Sequence, residues 1–86
     1  MAAFLVELYV SRGDMAGVRE GAARARAAAE ELAREGILVR YLRSLFLPDD
    51  ETCFYLYEAA TEADVREAAQ RAALPFDRVA QAIVDL

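Results

Sequence analysis

The chain has 86 residues, a net charge of −5, no histidine, one cysteine, and ten basic residues that are all arginine. That balance argues against nucleic-acid binding, which rests on a basic face, and against anionic membrane surfaces. It also removes imidazole, the commonest metal ligand and the commonest general base near neutral pH. Much of the apolar share of 57% is alanine clustered in two stretches, and no run reaches the ~20 apolar residues of a membrane span.

The length predicts one domain over residues 1–86 with a small core, for which self-association is a natural source of extra burial. The first ten residues carry Glu7 and have neither a basic n-region nor a small-residue cleavage site. They read as a strand and not as a signal peptide, and the expected location is the cytoplasm.

Phe4 to Val10 alternates as a strand. Phe4, Val6, Leu8 and Val10 form one face; Leu5, Glu7 and Tyr9 form the other. Ser11-Arg12-Gly13 breaks it. Asp14 is placed to cap a helix by accepting from the free amides of the first turn. Met15, Val18, Ala22, Ala25, Ala29 and Leu32 then recur at steps of three and four, a stripe of mostly small residues that can lie close on a sheet. Glu20 with Arg24 and Glu30 with Arg34 stand at i,i+4 spacing. Gly36 is expected to end the helix in the left-handed conformation.

Val39 to Leu47 and Thr52 to Ala59 read as two strands joined by the turn Pro48-Asp49-Asp50-Glu51. A four-residue turn sets Leu47 opposite Thr52. Continued without interruption, that register sets Leu45 opposite Phe54, Arg43 opposite Leu56, and Tyr41 opposite Glu58. It places Tyr41, Arg43, Leu45, Leu47, Phe54, Leu56 and Glu58 on one face. Leu42, Ser44, Phe46, Cys53, Tyr55 and Tyr57 fall on the other. Thr61 and Asp64 resemble a capping box for a second helix with Val65, Ala68, Ala69 and Ala72 inside. Pro75 stops that helix, and Val79 to Val84 reads as a last strand.

The order strand–helix–strand–strand–helix–strand is the ferredoxin-like βαββαβ pattern. It is an α+β sandwich with an antiparallel sheet, strand order 4-1-3-2 and both helices on one face. The helix-free face would show Leu5, Tyr9, Tyr41, Leu45, Leu47, Phe54 and Leu56. A patch of that kind is unusual on a monomer and points to a homodimer packed sheet on sheet, or to a ligand or partner. Glu7, Tyr9, Tyr41, Arg43 and Glu58 form the candidate ligand-binding cluster on that face. Its charges are expected to pair as a network if covered. Cys53 reads as a packing thiol.

Val39-Arg40-Tyr41-Leu42-Arg43-Ser44, Pro48-Asp49-Asp50, Leu56-Tyr57-Glu58-Ala59, Val65-Arg66-Glu67 and Pro75-Phe76-Asp77-Arg78-Val79 together resemble a small bacterial ferredoxin-like family of unknown function that includes a nickel-binding protein. The resemblance implies a ferredoxin-like sandwich, dimers, and nickel or another divalent metal as a candidate ligand. Where that family often carries a tryptophan, a residue and a histidine in the second strand, Tyr41 and Arg43 stand here. Tyr55 stands at the family's cysteine and Ala68 at its second histidine. Nickel prefers imidazole or thiolate ligands, so the missing histidines disfavour it.

Three functional readings follow. The first is a dimeric cytoplasmic binding or accessory protein with a polar cluster on the helix-free face, able to take a small molecule. The second is a divalent-metal binder. The third is a small dimeric α+β barrel enzyme of oxygenase or isomerase type, with Glu58 or Glu7 as base and Tyr41 or Tyr57 as acid.

Overall fold

The structure, a computed structural model, describes residues 1–85. Its elements follow in the order β1 (Ala2–Tyr9), α1 (Met15–Arg34), β2 (Val39–Leu47), β3 (Thr52–Ala59), α2 (Glu62–Arg71) and β4 (Arg78–Ala82), with a 3-10 turn at Pro48–Asp50. The sheet order is β2-β3-β1-β4, antiparallel throughout. This is the ferredoxin-like arrangement that the element order predicts. β4 is shorter than Val79–Val84. Its partner β1 begins at Ala2, and Ala82 already lies opposite Ala3, so the ladder runs out there.

The helix signals act as read. Asp14 Oδ1 accepts from the Gly17 amide at 2.9 Å, and Thr61 Oγ1 accepts from the Asp64 amide at 3.2 Å. At the end of α1, Gly36 takes a φ of 90°. Its N–H reaches Ala33 O while that of Ile37 reaches Leu32 O, both at 3.0 Å, the two bonds of a Schellman motif. α2 closes through the same pair of bonds, Ala73 N to Gln70 O and Leu74 N to Ala69 O. Its left-handed position is held by Ala73, at φ 56°.

The core lies between the helices and the sheet face that carries Phe4, Val6, Leu8, Cys53, Tyr55 and Tyr57. Bulk comes from the strands and smallness from the helices. Gly21, Ala25, Ala28 and Ala29 of α1 and Ala68 and Ala69 of α2 are buried against large strand residues. Interlocked large and small positions reach the density that interiors require. Gly21 faces inward beside Ala22, and Tyr55 passes it to donate from its hydroxyl to Val18 O at 2.8 Å. Met15, expected on the inner stripe, is 46% exposed.

One irregularity decides the site. Leu47–Thr52, Leu45–Phe54 and Arg43–Leu56 pair as the turn length predicts, but the register shifts between Tyr41 and Arg43. Leu42 is the extra residue of a β-bulge. Beyond it Tyr41 opposes Tyr57 and Arg40 opposes Glu58. The expected Tyr41–Glu58 pair is therefore wrong, and Tyr41 belongs to the helix side. There it meets Tyr57 edge-on at 5.7 Å between ring centroids and lies under the Arg26 guanidinium at 5.0 Å.

Candidate functional site

The helix-free face is built from alternate residues of all four strands. Leu5, Glu7 and Tyr9 of β1 stand beside Phe54, Leu56 and Glu58 of β3, flanked by Arg43, Leu45 and Leu47 of β2 and by Arg78 and Ala80 of β4. Most of its surface is apolar. Leu45 and Leu47 are 48% and 47% exposed.

The charges on this face do not form one network. Glu7 accepts from Arg78 Nε at 2.8 Å, and Glu58 accepts from Arg40 Nη1 at 3.1 Å. Glu58 lies opposite Ala3, four residues from Glu7, or about 13 Å along the strand at ~3.3 Å per residue. Arg43 bonds to neither carboxylate; it makes no ion pair or side-chain hydrogen bond among the described residues. Tyr9 stands at the far end, 63% exposed, with Glu51 Oε2 as a distant acceptor at 3.4 Å. Of the five residues singled out from sequence, Arg43 and Glu58 come together, Glu7 and Tyr9 share the face farther along, and Tyr41 is on the opposite side.

Sequence reasoning missed three participants, Arg40, Arg78 and Leu42. Arg40 and Arg78 are the true partners of the two glutamates. Arg40 acquires its role only through the bulge, which no glycine announces. Leu42, assigned to the core, instead lines a groove of about 790 Å³ with Arg43, Leu45, Leu56 and Glu58. The segment after β4 also lines it through Ile83, Val84 and Asp85, the first two 65% and 53% exposed.

On the helix side, chemistry is muted. Burial pushes the Cys53 thiol up, which keeps it protonated and unreactive. Burial likewise pushes the Tyr55 and Tyr57 phenols up from their usual range. The enzyme reading needed Glu58 or Glu7 to act with Tyr41 or Tyr57. The acids and the phenols lie on opposite faces of the sheet, so no such pair can share a substrate. The pairs Glu20–Arg24 and Glu30–Arg34 also do not form among the described residues. Arg24 instead caps α2 by donating to Ala72 O at 2.9 Å.

A family model described as "Nickel responsive protein SCO4226-like" matches residues 4–81. The crystal structure of SCO4226 from Streptomyces coelicolor A3(2) is similar at 19% identity, covering 99% of this chain and 100% of that one, with a TM-score of 0.73. At that identity the likeness is one of fold. No curated protein matches the chain.

The residues present do not fit a nickel ion. Histidine is absent. Cys53, the lone thiol, is buried on the helix side. The described residues contain no group of three or more cysteine, aspartate or glutamate side chains able to hold a metal. Arg43 stands where the resemblance expects a second-strand histidine, and a guanidinium does not ligate a metal. No helix of the described residues is long and apolar enough to cross a membrane.

Proposed function

Since the chain belongs to the SCO4226-like family of nickel responsive proteins, we propose that it is a small, single-domain binding or accessory protein of the cytoplasm. In this reading it works as a homodimer through its helix-free sheet face and uses the groove at one end of that face for a ligand. The observation that carries the reading is the composition of the face itself. Leu5, Leu45, Leu47, Phe54 and Leu56 form a continuous apolar surface interrupted by charges that are mostly paired already. A second copy laid sheet on sheet buries that surface and leaves few unsatisfied groups. The nickel response in the family's name is not carried over, because the donor set does not support it.

Leu45→Glu combined with Leu47→Glu puts two charges on the face at positions already half exposed, so the fold tolerates them. Size exclusion with light scattering is expected to give a dimer for the wild type and a monomer for this variant. Leu38→Glu, at a 67% exposed position outside the strands, leaves the dimer mass unchanged. A dimer that survives the double substitution would place the interface elsewhere, on a sheet edge or a helix.

A further inference from the structure

We propose that the groove beside Arg43 binds a monocarboxylate with an apolar body, its carboxylate held by the Arg43 guanidinium; this rests on the reading of the helix-free face as a binding surface. Arg43 is an exposed cation that lines the groove with Leu42, Leu45 and Leu56, and it has no partner among the described residues. The glutamates that could have neutralised it are taken, Glu58 by Arg40 at 3.1 Å and Glu7 by Arg78 at 2.8 Å. A guanidinium offers a planar fork of donors that matches a carboxylate in two parallel hydrogen bonds. If a second copy covers the face, an unaccompanied Arg43 becomes costly and an anion beside it more favourable.

The bulge supplies independent support. It turns Tyr41 into the core and delivers two consecutive residues, Leu42 and Arg43, to one groove. The apolar contact and the cation thus stand next to each other, as an amphiphile requires. Bulges are over-represented where a strand re-aims a side chain beside a functional site. The remaining charges set the valence. Asp85, which also lines the groove, opposes a polyanion, so the groove suits one negative charge on an apolar chain.

The test is titration calorimetry with octanoate, octanol and octylamine, which share a chain and differ in head group. Octanoate is expected to bind at one site per protomer, and more tightly than octanol or octylamine. Arg43→Met keeps an apolar side chain at the position and removes the donors. It should weaken octanoate about tenfold or more, the usual consequence of losing a hydrogen bond to a charged group, and leave octanol unchanged. Arg34→Ala, on the helix surface, should change neither. Equal binding of octanoate and octanol, or octanoate binding indifferent to Arg43→Met, overturns the carboxylate assignment and leaves the groove reading in place. Failure of all three probes to bind overturns both.

Discussion

Tyr55 and Tyr57 stand two residues apart on the same face of β3, both with 1% exposure or less. They differ in one hydrogen bond. The Tyr55 hydroxyl donates to Val18 O; the Tyr57 hydroxyl is buried without a partner among the described residues. A buried polar group with no partner costs about 1–3 kcal/mol, while a satisfied one contributes about 0.5–1.5 kcal/mol net. The same substitution should therefore have opposite signs two residues apart. Tyr55→Phe is expected to lower stability by about 1 kcal/mol in urea unfolding, and Tyr57→Phe to leave it unchanged or raise it. Gly21→Ala belongs to the same contact. Its methyl group would overlap the Tyr55 hydroxyl, and over-packing of this kind costs about 1–3 kcal/mol. The ~1 kcal/mol that alanine gains over glycine within a helix does not offset the upper part of that range, so the variant should be destabilised and should lose more when Tyr55 is present than in a Tyr55→Phe background.

At the scale of elements, the two helices end in the same motif with different residues. Gly36 occupies the left-handed position after α1 without strain, whereas Ala73 holds it after α2. A left-handed non-glycine residue costs about 1–2 kcal/mol. Ala73→Gly is expected to stabilise the protein by about 1 kcal/mol, seen as a rise of about 4–8 °C in Tm for a domain of this size. The helices are also tied to each other by Arg71, which reaches Glu31, Glu35 and Glu67 at once. Its hydrogen bond to Glu35 holds that carboxyl below the usual range. A depressed carboxyl stabilises the fold above its unfolded-state pKa, and the contribution is lost as pH falls through the folded value. Wild type and Glu35→Gln should therefore differ at neutral pH, with the difference shrinking in acid unfolding only as pH falls below the ordinary glutamate pKa of about 4.3.

The elements themselves were legible because local signals and global fold agree: Asp14, Thr61 and Gly36 cap as their chemistry dictates, and the turn length sets the first half of the hairpin register. The second half was not legible. A strict period of two carries Tyr41 to the face of Glu58, and one inserted residue reverses it. Nothing in Tyr41-Leu42-Arg43 signals the insertion. What favours it is tertiary: shifted, Tyr41 packs with Tyr55 and Tyr57 under Arg26, and Val39 is buried opposite Ala59. The expected network of Glu7, Arg43 and Glu58 gave way to the pairs Glu58–Arg40 and Glu7–Arg78 across the strands.

For the molecule as a whole, the sheet has one face sealed by alanine-rich helices and another that is open, largely apolar and crossed by two exposed ion pairs. Such pairs are worth about 0–1 kcal/mol each, so they orient the face more than they stabilise it. Arg43→Ala is accordingly expected to change monomer stability by no more than a few tenths of a kcal/mol. The central claim is that a second copy covers this face. Sedimentation equilibrium of the unmodified chain across micromolar concentrations tests it most directly. The predicted result is a mass twice that of the 9.5 kDa protomer, falling toward one protomer only on dilution; a single-protomer mass at every concentration would contradict it.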